Sequence, residues 1–272
     1  MYLEYWGLKE MPFENTPDPK FFYHSAQHEE GLSRLHYVVD NKKGAAMLTG
    51  VFGCGKTVLA RTLFAGLSRR NYQIAFITNP QLKAVELLRS IARYLGAENL
   101  PNKFSDMSSD YFLEVIENIL INNAKDGRET LVVVDEAHVI VDLDVLEELR
   151  LLLNFQFEDR FLMTLILMGQ PELQERVAKT KQLLQRIAIS HHIGPLTEEE
   201  TAAYINHRVS VAGSTRQIFT PGAVRAIRKV SGGIPRRINH ICDLSLFIGS
   251  TNNSEVVDEK ITEDTVSSFE VG

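Results

Sequence analysis

Apolar residues in the first two thirds of the chain fall in short blocks, separated by stretches with helical spacing. Ala45 to Thr49, Gln73 to Thr78, Leu131 to Val134 and Leu162 to Met168 read as strands, with Ser190 to Ile193 as a fifth. Blocks without in–out alternation suit strands buried on both faces. Thr57 to about Arg69, Leu82 to Leu95, Tyr111 to Asn122 and Asp144 to Asn154 read as the intervening helices. In the second of these, Val85, Leu88, Ile91 and Leu95 share one face and Gly96 supplies a stop. Glu147 is placed for a capping box at the start of the fourth. Residues 97 to 109 read as a polar loop. Alternating strands and helices predict an α/β fold with a parallel sheet covered on both faces.

Strand signals end after Pro195. Thr197-Glu198-Glu199-Glu200 reads as a capping box, and Thr220-Pro221 places a cap before a proline at the first helical position. Ile234 to Ile248 and Thr262 to Phe269 carry further helical spacing. At the other end, Tyr5-Trp6-Gly7-Leu8 to Met11-Pro12-Phe13 is aromatic and punctuated by prolines. It predicts an extended segment pinned by Trp6, Phe13 and Phe22, followed by a helix from Ser25 to about Asp40. The expected organisation is an N-terminal segment and helix docked on the core (1–40), an α/β core (41–195) and a small helical domain (196–272).

Composition narrows the class. The chain has 272 residues, with 29 basic and 35 acidic side chains and a formal charge of −6. That argues against a surface coated with nucleic-acid-binding charge, and leaves room for a local patch. No apolar run approaches the roughly 18 residues of a membrane helix. The first residues lack the basic-then-apolar pattern of a signal peptide. Two cysteines, Cys54 and Cys242, build neither a disulfide framework nor a zinc site, and read as a loop filler and a core residue. The expectation is a cytoplasmic protein.

The strongest chemical signal is Gly50-Val51-Phe52-Gly53-Cys54-Gly55-Lys56-Thr57, which fits G-x-x-x-x-G-K-[ST] between a predicted strand and a predicted helix. Glycines let the backbone curl so that successive N–H groups face phosphate oxygens, and the helix N-terminus adds its dipole. Gly50, Gly53, Cys54, Gly55, Lys56, Thr57 and Val58 are therefore the candidate nucleotide-binding set. Lys56 would reach the β- and γ-phosphates, and Thr57 would offer its hydroxyl to Mg²⁺. ATP or ADP and Mg²⁺ are the implied ligands.

A second signal is Leu131-Val132-Val133-Val134-Asp135-Glu136, an apolar strand ending in two carboxylates. Asp135 would hold Mg²⁺ and Glu136 would polarise the attacking water. His138 completes Asp-Glu-Ala-His, a tetrad also seen in one helicase group. With no other helicase motif present, it reads as a local helix residue. Gln170, after the fourth strand, is placed to sense the γ-phosphate, or else caps the helix starting at Pro171. Asn79, after the second strand, would hold Glu136 away from water until ligand arrives, or forms an ordinary Asn-Pro turn.

Three arginine readings follow. Arg186, just before the fifth strand, would project at a neighbour's γ-phosphate, with Arg160 and Arg176 as rivals. Arg236, in Gly232-Gly233-Ile234-Pro235-Arg236, would reach back to the γ-phosphate from the helical domain. Arg216, Arg225, Arg228, Lys229, Arg236 and Arg237 form a stretch without an acid. It reads as a duplex DNA contact, or as a face partly serving nucleotide and partly solvated.

Together these motifs resemble the AAA+ ATPases. A finer set looks like the ExeA/GspA family of secretion-pathway ATPases and its short pilus- and exopolysaccharide-associated relatives. It comprises Tyr5-Trp6-Gly7-Leu8-Lys9-Glu10-Met11-Pro12-Phe13, Thr16-Pro17-Asp18-Pro19-Lys20-Phe21, Leu149-Arg150-Leu151-Leu152-Leu153-Asn154-Phe155, Gly169-Gln170-Pro171-Glu172-Leu173 and Ser231-Gly232-Gly233-Ile234-Pro235-Arg236-Arg237-Ile238-Asn239. The AAA+ resemblance implies a P-loop NTPase core with a five-stranded parallel sheet of order 5-1-4-3-2 and a helical lid. It also carries the roles of Lys56, Thr57, Asp135, Glu136, Gln170 and Arg236 onto these positions. The finer resemblance implies a bacterial ATPase that forms a ring or filament and assists a secretion or pilus system through a partner at the inner membrane. Full-length ExeA-type proteins continue into a membrane span and a peptidoglycan-binding part, which this sequence does not include. The alternatives are a transposition-type regulator forming ATP-dependent filaments on duplex DNA, and a slowly hydrolysing scaffold.

Overall fold

The computed structural model describes residues 2–67, 71–101, 108–157 and 160–270. It divides into two compact units. One takes in Glu30–Gly50 and Leu63–Ile193; the other takes in the chain up to Glu29, Val51–Thr62 and the chain from Gly194 on.

The first unit is built on a five-stranded sheet of β1 (Ala45–Gly50), β2 (Tyr72–Ile77), β3 (Glu129–Val134), β4 (Thr164–Gly169) and β5 (Ile187–Ile193). Every neighbouring pair is parallel and the order is 2-3-4-1-5, the order the resemblance implied. The three inner strands β1, β3 and β4 are buried almost throughout, which is why they appear in the sequence as apolar blocks. Edge strand β5 alternates between partly covered and exposed positions, and it starts three residues before the predicted Ser190. A two-residue antiparallel pair, Gln156–Phe157 with Arg160–Phe161, lies apart from this sheet.

Helices α4 (Ala84–Tyr94), α5 (Ser109–Lys125) and α6 (Leu143–Leu152) cover the sheet. Leu88 and Ile91 of α4, Phe112 and Ile116 of α5, and Leu146 and Leu149 of α6 are fully buried in one cluster with Val132, Val134, Leu165 and Leu167. Truncating one such leucine to alanine costs about 2–5 kcal/mol. Ser108 caps α5 by accepting from the Tyr111 N–H at 3.2 Å. The predicted capping box at Glu147 is corrected: Asp142 caps α6, accepting from the Asp144 N–H at 3.0 Å, while Glu147 pairs with Arg150. An acid two residues earlier in the chain reaches the free N–H groups first. Short helices α7 (Glu172–Lys179) and α8 (Lys181–Leu184) lead into β5.

The second unit gathers α9 (Glu198–Val211), α10 (Pro221–Ser231), α11 (Pro235–Thr251) and α12 (Glu259–Glu270). The box at α9 forms as predicted: Thr197 Oγ1 accepts from the Glu200 N–H at 3.1 Å and Glu200 Oε2 accepts from the Thr197 N–H at 3.0 Å. Thr220 caps α10 ahead of Pro221. The N-terminal aromatic segment is not simply extended. It begins with a helix, α1 (Tyr2–Trp6), and places a 3₁₀ turn at Pro19–Phe21. Trp6 is fully buried with Ile205, Ile238, Cys242 and Leu246, and its indole N–H donates to the Leu246 carbonyl at 2.9 Å. Arg208 donates to the Glu14 carbonyl at 2.9 Å and lies 4.6 Å over the Phe21 ring, holding the segment against α9. No helix among the described residues is long and apolar enough to cross a membrane.

Candidate functional site

The glycine-rich loop leaves β1 at Gly50 and enters α3 (Lys56–Leu67). Gly53 and Gly55 hold φ of +83° and +101°, which L side chains rarely adopt. A Cβ on Gly53 would stand 2.8 Å from Arg236 Cβ, and one on Gly55 would stand 2.9 Å from His28 Nε2. The side chains of Arg236 and His28 thus lie close against the loop where it curls, leaving no room for a Cβ at either glycine. Lys56 opens α3, largely buried, with Nζ donating to the Val51 carbonyl at 3.2 Å. Thr57 and Val58 follow in its first turn, at the positive end of the helix dipole.

Two residues of the same unit hold the loop. Arg236 donates its backbone N–H to the Gly53 carbonyl at 3.2 Å, and its guanidinium lies 4.8 Å over the Phe52 ring. His28, on α2 (Ala26–Asp40), donates from Nε2 to the Cys54 carbonyl at 2.9 Å. That contact puts the ring proton on Nε2, so Nδ1 accepts from the Ser25 hydroxyl at 2.6 Å. Phe22 packs edge-on against His28, so part of the aromatic segment reaches the loop through this ring. Sequence reasoning missed His28, because nothing local ties it to Cys54. Cys54 and Cys242 are both buried and neither is in a disulfide.

A cavity of about 800 Å³ opens beside the loop within this unit, lined by Asn15, Val51, Phe52, Val230, Ile234, Arg236, Arg237, His240 and Ile241. Its volume is in the range of small-molecule sites. Its wall offers apolar surface, an exposed aromatic ring and two guanidinium groups, which suits a planar, anionic ligand. Of the basic stretch, Arg236 and Arg237 line this cavity, Arg216 donates to the Glu255 carbonyl at 3.3 Å, and Arg225 and Lys229 are exposed.

In the sheet-bearing unit, three functional candidates stand at the carboxyl end of adjacent parallel strands: Gly50 ends β1, Asp135 follows β3 and Gln170 follows β4. This is the end at which open α/β sheets carry their ligands. Asp135 is buried, and its Oδ1 accepts from the Glu136 N–H at 2.9 Å. Glu136 adopts φ 53° and ψ 29°, the left-handed region. His138 lies beside it, with Nδ1 3.4 Å from Glu136 Oε2 and Nε2 2.9 Å from Gln170 Nε2. His138 therefore lies within a 3₁₀ turn and between two candidate site residues, where the sequence reading made it only a local helix residue. The Asp-Glu-Ala-His tetrad was the available signal.

Asn79 is not brought to Glu136. Its Oδ1 accepts from the Gln81 N–H at 3.4 Å, closing a local Asn-Pro turn. Arg186 donates to the Leu153 carbonyl at 3.3 Å and to Asn154 Oδ1 at 3.0 Å, and lies 5.7 Å from the Phe161 ring centroid. Its rival Arg176 donates to the Ile140 carbonyl at 2.5 Å, and Arg160 is exposed in the short hairpin.

Comparison with known proteins gives four likenesses. Residues 39–177 match the family model described as AAA domain. The chain is 38% identical over 94% of its length to general secretion pathway protein A of Aeromonas hydrophila, and spans 46% of that protein. Among solved structures, the Aeropyrum pernix ORC2 protein in ADPNP–ADP complexes aligns with a TM-score of 0.68 at 17% identity, covering 92% of this chain and 70% of that one. The Aeropyrum pernix ORC1 protein in complex with DNA aligns with a TM-score of 0.69 at 17% identity, covering 96% and 70%. At such identity, the two structural likenesses speak to the fold alone.

Proposed function

This chain belongs to the AAA-domain family, and on that premise we propose that it is a Mg²⁺-dependent ATP-binding and hydrolysing switch that oligomerises and assists a bacterial secretion or pilus system. The observation that carries the chemistry is the phosphate loop. Between β1 and α3 it curls on two glycines in a conformation other residues resist, with Lys56 at the helix start. A polyphosphate fits such a cradle, because N–H groups, helix dipole and ammonium all favour it. The secretion assignment is supported by the 38% identity to general secretion pathway protein A.

In this reading Lys56 neutralises the β- and γ-phosphates. The Thr57 hydroxyl and Asp135 carboxylate would hold Mg²⁺; hard oxygen ligands of this kind, few in number, suit it. When bound, Mg²⁺ offsets charge developing on the phosphate oxygens. Glu136 aligns the attacking water and takes up its proton, while Arg236 and Gln170 sense the γ-phosphate. Arg186 acts on the nucleotide of a neighbouring subunit. The Gly53–Arg236 hydrogen bond makes the start of α11 responsive to the loop, so nucleotide state is passed to the helices that a partner protein reads. The protein works in the cytoplasm and reaches the inner membrane through that partner.

ATP turnover tests this, with Lys56→Ala as the blank and Mg²⁺ omitted in a parallel reaction. Turnover that needs both Mg²⁺ and Lys56, and that rises per subunit with protein concentration, is expected. Turnover no greater than the Lys56→Ala blank at every concentration overturns the hydrolysis reading.

A further inference from the structure

We propose that His138 is a positioning residue for hydrolysis, holding the Glu136 carboxylate and tying it to Gln170. The proposal rests on the ATPase reading of Glu136. It starts from the backbone. The chain leaves β3 at Val134, and Glu136 turns it sharply by adopting φ 53°. A non-glycine residue in that region carries strain that surrounding contacts must offset, and such strain gathers at functional sites. Here the offsetting contacts are visible. Asp135 Oδ1 accepts from the Glu136 N–H at 2.9 Å, and the Glu136 carbonyl accepts from the Val139 N–H at 2.9 Å.

The turn folds His138 back toward the carboxylate it follows. The His138 side chain is 14% exposed, so its ring nitrogens have little access to water. The Gln170 amide nitrogen can only donate, so His138 Nε2, 2.9 Å away, accepts. A neutral ring then carries its proton on Nδ1, which is buried, has no hydrogen-bond partner among the described residues and stands 3.4 Å from Glu136 Oε2. The order Gln170–His138–Glu136 is thus a directed one: the amide donates to the imidazole, whose remaining N–H lies beside the carboxylate with no other partner.

Two further contacts keep the ring in place. A Cβ on Gly169 would stand 3.0 Å from the His138 backbone nitrogen and 3.2 Å from its Cβ, so the end of β4 packs directly on this residue. Arg176 of α7 donates to the Ile140 carbonyl at 2.5 Å, pinning the far end of the turn. The residue that the sequence offered for holding Glu136 was Asn79, whose side chain closes its own turn instead. A carboxylate that must align water needs one orientation, and the unpartnered Nδ1–H of His138, 3.4 Å away, is the donor placed to select it as the site closes on nucleotide. Because the donor is itself held by Gln170, a shift of Gln170 on nucleotide binding is felt at Glu136.

The test measures kcat, KM for ATP and affinity for a fluorescent ADP analogue in the full chain. The proteins are wild type, His138→Ala, His138→Asn, Gln170→Ala and the His138→Ala/Gln170→Ala double variant. His138→Ala is expected to lower kcat tenfold or more, with ADP affinity and KM within twofold of wild type. His138→Asn places an amide N–H₂ near the former Nδ1 and is expected to recover most of the rate. The double variant is expected to be no slower than the slower single variant, since both act through one chain of contacts. A kcat for His138→Ala within twofold of wild type overturns the proposal. So does a His138→Asn variant that is folded, binds ADP and is as slow as His138→Ala, or a double variant in which the two losses multiply. A wild-type protein that binds ADP without turnover overturns the hydrolysis reading and this one with it, whereas wild-type turnover with a silent His138→Ala overturns only this one.

Discussion

The backbone N–H of Arg236 donates to the carbonyl of Gly53 across 3.2 Å, and a Cβ on Gly53 would stand 2.8 Å from Arg236 Cβ. The loop that would cradle phosphate and the first turn of α11 are therefore in direct backbone contact. No side chain separates them.

That contact makes Gly53 doubly intolerant of change. Gly53→Ala would both strain a φ of +83° and push a methyl group into Arg236. The backbone strain alone costs on the order of 1–3 kcal/mol. The expected outcome is a lower melting temperature together with loss of ADP binding by calorimetry. Arg236→Ala removes the side chain while keeping the backbone bond, so it is expected to fold normally, bind ADP and lose turnover. Normal ADP affinity in Gly53→Ala would show that the loop accommodates a side chain after all.

His28 supports the same loop from its other side. Its Nε2–H satisfies the Cys54 carbonyl at 2.9 Å, in a buried setting where an unpaired carbonyl costs about 1–3 kcal/mol. His28→Ala is expected to weaken ADP binding about tenfold, with a stability loss of that order in a denaturant melt. Ser25→Ala, which removes the 2.6 Å contact that orients the ring and the 3.4 Å bond from the His28 N–H but leaves the imidazole, is expected to fall between this variant and wild type. Equal ADP affinity in His28→Ala and wild type would count against a supporting role.

Much of the fold was legible because it is written locally. β1, β3 and β4 are buried along nearly their whole length, so each shows as an apolar block that one can read without knowing its neighbours. The caps at Thr197 and Thr220 likewise depend on residues three positions away. The three residues before Ser190 were harder, because Ile187 and Ile189 belong to an edge strand whose alternate positions face solvent. Helix α1 was read as extended because its stability comes from Trp6 inserting among α9 and α11 residues, a long-range effect. In the candidate site, the phosphate-loop glycines and the Asp135–Glu136 pair are sequence motifs. The contacts His28–Cys54 and His138–Gln170 join residues 26 and 32 positions apart and depend on how turns fold back. No local pattern encodes them.

Arg186 bears on assembly. Its guanidinium is held by the Leu153 carbonyl and Asn154 Oδ1, just past the end of α6. These contacts aim it without closing all five of its donors. Arg186→Ala is expected to leave ADP affinity unchanged and to lower turnover at least a hundredfold at high protein concentration. Adding Lys56→Ala subunits, which keep Arg186, to the Arg186→Ala protein is expected to restore part of the turnover. Mixing that restores nothing would exclude action on a neighbour's nucleotide.

The helical unit carries a pH dependence of its own. His207, on α9, has its pKa lowered below the ordinary value, chiefly by burial, with the charges of Arg208 and His24 adding to the effect. The unfolded chain therefore binds more protons at this site than the folded one just below pH 6.5. Stability must rise with pH through that window and fall as pH drops from about 6.5 toward the lowered folded value. Trp6 provides the readout: it is the one tryptophan of the sequence, it is fully buried in this unit, and unfolding moves it into water. Denaturant midpoints followed by tryptophan emission are expected to fall between pH 7 and pH 5.5 in the wild type. The slope is expected to be shallower in His207→Gln, which cannot take up the proton. Equal slopes in the two proteins would assign the dependence to other groups.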